Sequence, residues 1–395
     1  MADLRDCFEM FEYKGGARKT NRFLSTVMHR LRLARCHGGP SDYGFFVEQT
    51  VFEGRPYLLP LYWFVTEGCK NDQAGGCTMC NFGVGRVSKE DILWQVDRIA
   101  QRVTGLPLIY VTPLGSMFDD EEVSPEVRTL VLRRLAATGC RAFGTESRAD
   151  TISEEKMHSF REAFGPKVRL QIGVGLETID GFVRRNCLNK RLTQAEILKA
   201  LAAMRRYDIE PMVHVLLKPP FLTEREAILD ATRTTRWAFA HGAVRVIFFM
   251  TNLKPFTLTE WLSSRGYYRV PYLWSGVTVL RDLAPECGSW ITLSGIYSGV
   301  PILQRAHNCL QCSQRFIARL QQFSMSLDSS ILAGLLASGC SCRTEWELSM
   351  AQEAISLERR LADAYERIAR GVFGDIWWLD NWQWVLAELD GSLAE

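Results

Sequence analysis

Three cysteines on one short segment carry the most specific chemistry in this sequence, in the arrangement Cys69-x7-Cys77-x2-Cys80. Three thiolates leave one position open on a tetrahedral metal ion, or one iron open on a cubane iron–sulfur cluster. An open iron can bind a substrate or cofactor through nitrogen and oxygen. The Gly75-Gly76 pair allows the loop to fold closely around such a cluster. The alternative is a zinc knuckle completed by a distant fourth ligand.

A second group of cysteines comes in two pairs, Cys309-x2-Cys312 and Cys340-x-Cys342. Four thiolates close a tetrahedral structural zinc site, in which His307 is a substitute ligand. The same four thiolates suit an auxiliary [4Fe–4S] cluster, and chance clustering of buried cysteines is the third interpretation. Nothing in the sequence demands a second redox centre, so it favours zinc. The other cysteines are scattered and fit buried, small apolar residues: Cys7, Cys36, Cys140, Cys187 and Cys287.

Composition predicts a globular, cytoplasmic protein. The chain has 395 residues, of which 47% are hydrophobic and 23% charged, as in ordinary globular proteins. A net charge of +2 creates no global field that would attract nucleic acid or a membrane. The longest uncharged apolar run, from Leu58 to Val65, is far shorter than the roughly 20 residues of a membrane span. The first residues lack the apolar core of a secretory signal. In a reducing compartment clustered cysteines indicate metal rather than disulfides.

The cysteine triad follows the first of several predicted strands that alternate with helices. The strands are predicted at Tyr57–Thr66, Leu108–Thr112, Arg141–Thr145, Arg169–Val174, Pro211–Leu217 and Val244–Met250. The helices between them are predicted at Lys89–Val103, Pro125–Thr138, Glu154–Phe164, Gln194–Tyr207 and Glu224–Ala240. Such alternation builds a parallel sheet with right-handed crossovers. The pattern fits a partial (β/α)6 TIM-type barrel or a doubly wound sheet, both of the α/β class.

Polar and small residues follow each predicted strand at its carboxyl end. They are Cys69, then Gly115-Ser116, Glu146 and Arg148, Glu177, Lys218, and finally Asn252. In both candidate folds the carboxyl ends of the strands meet at one edge, where ligands bind. We therefore expect one shared pocket.

The chain divides into three predicted regions: a basic N-terminal extension (1–50), a core (51–295) and a cysteine-rich, mainly helical C-terminal region (296–395). We predict that the extension is helical across the basic stretch from Lys14 to Arg35. That stretch is typical of a solvated helix face, with a contact to RNA phosphates as the alternative. A long charged helix is predicted from about 343 to 370. The tryptophan-rich tail after it is expected to pack on the protein's own core rather than on a partner.

The triad at the start of this strand–helix chain resembles that of the radical S-adenosylmethionine (SAM) superfamily. The seven-residue first gap is the longer-loop variant, and Met79 replaces the usual aromatic residue. Further blocks resemble the archaeosine-synthase radical SAM subfamily, which is related to the Elongator catalytic subunit, and the resemblance covers roughly residues 55–346. The blocks are Gly-Gly-Cys-Thr-Met-Cys at 75–80, Gly-Leu-Glu-Thr at 175–178, Cys-Leu-Asn-Lys at 187–190, Leu-Lys-Pro-Pro-Phe-Leu-Thr-Glu at 217–224, His-Asn-Cys-x2-Cys at 307–312 and Cys340-x-Cys342.

The resemblance implies a [4Fe–4S] cluster on Cys69, Cys77 and Cys80 that binds and reductively cleaves SAM. The resulting 5′-deoxyadenosyl radical abstracts a substrate hydrogen, and a bond in the substrate breaks. In that subfamily the substrate is a lysine-modified deazaguanine in transfer RNA, from which the lysine side chain is cleaved so that an amidine remains. The implied partners are a one-electron donor of the flavodoxin or ferredoxin type and a protein that delivers the RNA.

Site residues carry over by the same resemblance. Gly115-Ser116 is expected near the methionine amino group of SAM, Glu146 and Arg148 at its ribose hydroxyls and carboxylate, and Glu177 at the ribose or the substrate. The candidate substrate contacts are Asn189, Lys190 and Lys218. For Asn189-Lys190 the alternative is a loop cap, and for Lys218 a sharp exit from the strand.

Two other functions compete with this interpretation. The first is a radical SAM enzyme that acts on a small molecule or a peptide in a biosynthetic pathway, which the near-neutral charge favours unless a partner delivers the RNA. The second is a non-catalytic zinc protein that binds nucleic acid. This alternative leaves the residues at the strand ends unexplained.

Overall fold

The computed structural model describes residues 20–33, 35, 42–83, 85, 87–287, 291–294, 302–351 and 355–390. One eight-stranded sheet organises them, with its strands in the order of the chain. The strands are β1 (Gly44–Phe52), β2 (Arg55–Phe64), β3 (Leu108–Pro113), β4 (Ala142–Ser147), β5 (Arg169–Glu177), β6 (Ile209–Leu217), β7 (Arg245–Met250) and β8 (Ile291–Ser294). β1 pairs antiparallel with β2, and every later neighbour is parallel. The partial TIM-type barrel is confirmed.

The predicted strands correspond to β2–β7, with ends that differ by a few residues at most. Residues 44–52 form β1, a strand that was not predicted and that begins inside the region assigned to the N-terminal extension. Their sequence alternates, so that Phe45 and Val47 are exposed while Phe46 and Glu48 face the barrel cavity. The Glu53-Gly54 turn has two positive φ angles, 50° and 73°, as two-residue hairpins require. β8 was also missed.

Helices cover the outer face of the sheet, and the predicted ones are found. They are α2 (Lys70–Gln73), α3 (Lys89–Val103), α4 (Pro125–Ala136), α5 (Glu154–Phe164), α6 (Gly181–Asn186), α7 (Gln194–Arg206), α8 (Glu224–Ala240), α9 (Leu258–Ser263) and α10 (Leu273–Cys287), after an N-terminal α1 (Arg22–Arg32). Reciprocal capping boxes fix the starts of α3 and α8, at Ser88 with Asp91 and at Thr223 with Glu226. No described helix is long and apolar enough to cross a membrane.

Helix α1 is packed into the protein rather than standing in solvent. Its residues Phe23, Leu24, Val27 and Met28 are fully buried, and Arg30 on the opposite face is exposed. The basic stretch is therefore a solvated face only in part, because Arg32 points inward. Arg18 and Lys19 lie outside the described residues.

The C-terminal region is helical, as predicted, but the long helix expected at 343–370 is two helices. The elements are α11 (Ser313–Ser326), α12 (Ser329–Ala337), α13 (Ser341–Ala351), α14 (Leu357–Phe373) and α15 (Asp375–Asp390). Helix α11 contacts β1 and β8, the two edge strands, and so lies across the lateral opening of the barrel. The division of the chain at residues 50 and 295 stays a prediction.

The tryptophan-rich tail is α15, and it packs on α14 and α1. Trp377 and Trp384 contact the ring of Phe23, with centroids 6.4 Å away in both cases. The expected anchoring to the protein's own core is confirmed for this face. On the other face Ile376 and Leu379 are exposed.

Candidate functional site

The three triad cysteines line one cavity of about 310 Å³ at the carboxyl ends of the strands. Cys69 precedes α2, and its amide donates to the carbonyl of Phe82 at 2.9 Å, which closes the loop. Asn71 Nδ2 donates to Cys77 Sγ at 3.0 Å. A Cβ at Gly76 would come within 2.5 Å of that amide nitrogen, so this position needs glycine. The tight loop that the glycine pair predicted is therefore present.

Burial raises the pKa of two thiols of the triad, that of Cys77 to about 11 and that of Cys69 further. A thiol with a raised pKa is a poor nucleophile, but a bound metal deprotonates it and is held by the resulting thiolate. Three cysteines around one cavity fit the donor set of an iron–sulfur cluster with an open corner.

Arg32 of α1 binds the loop that carries the triad, residues 69–80, which we call the cluster loop. Its guanidinium donates to the carbonyls of Gly76, Cys77 and Cys80 at 2.9, 3.2 and 3.0 Å, and it forms an ion pair with Asp72. The Arg32 side chain is 8% exposed and that of Asp72 is 1% exposed. A single arginine from the N-terminal helix thus organises three loop carbonyls.

Arg148 lies beside the triad, and three carboxylates position it: those of Asp119 and Glu122, and that of Asp150, whose Oδ1 is 3.1 Å from Arg148 Nε. Its Nη1 atom is 3.0 Å from Glu122 Oε1 and 3.9 Å from Cys69 Sγ, and its Nη2 atom is 2.8 Å from Asp119 Oδ2. The amide of Ser116 donates to Glu122 Oε2 at 2.7 Å. A cation therefore faces the cavity next to the first cysteine.

Glu122 is the functional-site residue that sequence reasoning missed most clearly. Its Oε1 atom also accepts from the amide of Lys70 at 3.2 Å. Because Oε2 accepts from the amide of Ser116, this carboxylate links the cluster loop to the loop after β3. Burial raises the pKa of Glu122 to about 7, although the Ser116 amide and Arg148 lower it. A Cβ at Gly115 would lie 1.8 Å from Glu122 Oε2, so Gly115 is required by this carboxylate. The acidic run at 119–122 was its only signal in the sequence.

Glu146, Glu177 and Lys190 line the same cavity. Tyr110 donates its hydroxyl hydrogen toward Glu146 Oε1 at 3.4 Å. Lys190 Nζ donates to Glu177 Oε1 at 2.9 Å. Burial lowers the pKa of Lys190, but the carboxylate of Glu177 together with Cys77 and Cys80 outweighs burial, so the pKa is raised. Lys190 is thus a buried ammonium close to the triad.

Asn189 and Lys218 are not among the residues that line the cavity. Asn189 Oδ1 accepts from the amide of Asn21, and its Nδ2 donates to the carbonyl of Gly75, both at 2.9 Å. Lys218 Nζ is 2.7 Å from Glu224 Oε1 in a buried ion pair. The geometry favours the alternative interpretation of both residues: Asn189 anchors the cluster loop to α1, and Lys218 closes the exit of β6.

The lower half of the cavity contains polar side chains that sequence reasoning did not single out. They are Glu48, Thr50, Tyr110, Gln171, His214 and Arg245, contributed by five of the strands. Small residues make room for them: a Cβ at Gly173 would lie 2.7 Å from His214 Nε2. Glu48 and Thr50 were missed because β1 was not predicted.

The four C-terminal cysteines come together in a second site. Consecutive Sγ atoms around the ring Cys309, Cys312, Cys342 and Cys340 are 3.4 to 3.6 Å apart, and all four lie within 4.8 Å of one another. These separations are too long for disulfides. The predicted four-thiolate metal site is therefore geometrically present, packed against Trp274, whose Nε1 lies 3.4 Å from Cys342 Sγ.

Comparison with known proteins agrees with this geometry. The chain is 29% identical over 291 residues to archaeosine synthase subunit beta of Methanosarcina acetivorans, which is 72% of this chain and 82% of that protein. It is 27% identical over 304 residues to the subunit of the same name from Thermococcus kodakarensis, which is 74% of this chain and 92% of that one. The chain is thus similar to proteins named archaeosine synthase subunit beta over about three quarters of its length.

No family model matches the chain. Among solved structures, methylornithine synthase superposes with a TM-score of 0.46 at 12% identity, covering 80% of this chain and 91% of that protein.

Proposed function

We propose that this chain is the radical SAM subunit of an archaeosine-synthase-type enzyme that cleaves the lysine side chain from a lysine-modified deazaguanine in transfer RNA. The observation that carries the proposal is the position of three cysteines, of which Cys77 is buried and Cys69 and Cys80 are partly exposed, at the mouth of a barrel cavity and beside a positioned arginine. The relationship to proteins named archaeosine synthase subunit beta supports the substrate.

The residues present fit a [4Fe–4S] cluster and SAM. Cys69, Cys77 and Cys80 would hold the cluster, which supplies the electron for SAM cleavage and thereby a 5′-deoxyadenosyl radical for hydrogen abstraction. Arg148 is held by Asp119 and Glu122 with its guanidinium toward Cys69, so it is placed to bind the carboxylate of SAM by a charge-assisted bond.

Further contacts to SAM would come from neighbouring strand ends. Ser116 and Gly115, fixed by Glu122, border the side where the methionine end would lie. Glu146 and Glu177 are placed to accept hydrogen bonds from ribose hydroxyls. The paired ammonium of Lys190 adds positive charge to a site that would hold a thiolate-ligated cluster.

At the second site we propose one zinc ion. In a tetrahedron with Zn–S bonds of about 2.3 Å, sulfur atoms lie about 3.8 Å apart. The separations between neighbouring Sγ atoms, 3.4 to 3.6 Å, are close to that value. A cubane cluster places four irons and four sulfides between its cysteines and so needs wider spacing. The zinc would fix α11, which covers the opening of the barrel, to α13.

Two partners complete the proposal. A one-electron donor of the flavodoxin or ferredoxin type would reduce the cluster. A second subunit would deliver the RNA, which agrees with the net charge of +2 of this chain and with the naming of its relatives as one subunit of a synthase.

The test uses the anaerobically reconstituted protein with SAM, reductant and tRNA that carries the lysine-modified deazaguanine. We expect 5′-deoxyadenosine together with a nucleoside that has lost the lysine carbon chain and kept an amidine, both measured by mass spectrometry. Unmodified tRNA and the Cys77→Ala variant are the controls. If 5′-deoxyadenosine forms only with a small molecule or peptide and the modified tRNA is unchanged, the substrate assignment is wrong.

A further inference from the structure

The cavity continues well below the strand ends that carry the triad. Arg245 begins β7, and five residue steps separate it from Met250 at the other end of that strand. At about 3.3 Å per residue, this is roughly 16 Å along the strand. Both residues line the cavity. A ligand that enters past the triad therefore has room to extend toward Arg245.

The floor of the cavity carries opposite charges on facing strands. Arg245 Nη2 donates to Thr50 Oγ1 at 2.9 Å, so the guanidinium of β7 reaches across the barrel to β1 and is held in place. Glu48 lies one inward-facing position away from Thr50, and its carboxylate acts electrostatically on Arg245. Gln171 borders the same space. A fixed guanidinium offers a planar fork of donors that suits a carboxylate.

The wall between the floor and the triad is largely apolar. Leu59, Leu61, Met212 and Ile247 form a buried cluster inside the barrel, with Phe249 packed against it. All of them line the cavity. Such a wall suits a chain of methylene groups, because burying apolar surface against it is favourable and requires no hydrogen-bond partner.

We propose that the lower cavity is a subsite for the α-amino-acid end of a long aliphatic substituent, in which Arg245 binds the carboxylate and Glu48 binds the α-ammonium group. The methylene groups would lie along Leu61 and Ile247. This inference rests on the proposed function, because a lysine joined to the base through its side-chain nitrogen presents its α-ammonium and α-carboxylate groups at the far end.

Structural stabilisation explains these charges less well. A buried pair of opposite charges is often no more stabilising than apolar residues of the same volume. SAM also carries an α-amino-acid group. That group would lie at the triad and Arg148, at the opposite end of the cavity, so the two sources can be separated by filling the SAM site.

The experiment measures ligand binding to the reconstituted protein by saturation-transfer NMR, with saturating SAM and no reductant. The probes are L-lysine, cadaverine, which lacks the carboxylate, and ε-aminocaproate, which lacks the α-ammonium group. We expect L-lysine to bind at least about tenfold more tightly than either analogue, because each analogue loses one charge-assisted contact. Equal binding of the three probes, or no binding of L-lysine, would overturn the subsite.

Two variants locate the contact. Arg245→Gln should weaken L-lysine binding at least about tenfold, and Glu48→Gln should weaken it while leaving the affinity for ε-aminocaproate unchanged. Arg206→Gln is the matched control, because Arg206 is an exposed arginine paired with Glu154 and does not line the cavity. Unchanged L-lysine binding in a folded Arg245→Gln protein contradicts the proposal, with thermal melting as the check on folding. Should Arg245→Gln not fold, unchanged L-lysine binding in Glu48→Gln contradicts it instead.

The outcomes also separate this subsite from the proposed function. If Arg245→Gln processes the modified tRNA with an unchanged KM, the subsite is wrong and the function stands. If L-lysine binds in an Arg245-dependent way but modified tRNA is never processed, the subsite stands and the substrate assignment is wrong.

Discussion

Replacing Arg32 by methionine should open the cluster loop without unfolding the protein. Methionine keeps the apolar stem of the side chain but removes the guanidinium that donates to the carbonyls of Gly76, Cys77 and Cys80. It also removes one of the two arginines that pair with the buried carboxylate of Asp72.

The size of the effect follows from these contacts. Breaking a buried ion pair costs about 3–5 kcal/mol, and hydrogen bonds to charged groups contribute about 1.5–3 kcal/mol each but are not additive. Arg35 remains 2.9 Å from Asp72 Oδ2, so the carboxylate keeps one partner. We therefore expect the lower end of the ion-pair range: the free energy of opening the loop should fall by about 3 kcal/mol. This makes the open loop roughly 150-fold more populated.

The assay is hydrogen–deuterium exchange of the loop amides, which is sensitive to local opening. The amides of Cys69 and Gly76, bonded to Phe82 and Asn71, are the reporters. Iron content after anaerobic reconstitution should fall in parallel. Arg30→Met is the matched control, since Arg30 is exposed on the same helix. Exchange rates and iron content within twofold of wild type in the Arg32 variant would refute the role of Arg32.

Three further predictions concern other parts of the protein. Burial raises the pKa of Asp230 to about 7 from an ordinary value near 3.9; the folded state thus holds the proton more tightly, and stability falls as pH rises from about 4 to 7. Between pH 5 and pH 8 this fall is about 2.7 kcal/mol, and Asp230→Asn should remove it, as measured by urea unfolding at the two pH values, whereas exposed Asp208→Asn should leave it intact. Replacing Cys340 and Cys342 together should remove one zinc and lower the melting temperature while about four irons per chain remain; a drop from about eight irons to about four contradicts the zinc assignment. Arg148→Ala should weaken SAM binding by about 1.5–3 kcal/mol with the cluster intact, and an unchanged SAM affinity means that Arg148 does not bind the carboxylate.

The strands β2–β7 were predictable because apolar runs of strand length alternate with amphipathic helices, and this pattern is local. β1 was equally readable in principle. The residues 44–52 alternate in burial and end in the Glu53-Gly54 turn. They were assigned to the basic extension because the basic residues that precede them dominated the interpretation of that region. The alternation of exposed and inward-facing residues, which indicates a strand, was therefore overlooked.

The site residues divide along a similar line. The cysteines carry their meaning in their spacing, so sequence was sufficient to bring both groups together. Asn189 and Lys218 follow the same motifs, yet their partners, Asn21 and Glu224, turn them away from the cavity. Glu122 was missed because its importance comes from two backbone amides and one arginine that converge only in three dimensions.

The central claim is that the triad at the mouth of the barrel supports SAM cleavage. The most direct test compares 5′-deoxyadenosine formation by the anaerobically reconstituted wild-type chain, Cys77→Ala, and Cys140→Ala, a buried cysteine outside the triad. We expect formation by the wild type and by Cys140→Ala, and none above background by Cys77→Ala, because two thiolates do not hold the cluster. Wild-type amounts of 5′-deoxyadenosine from Cys77→Ala would contradict the account.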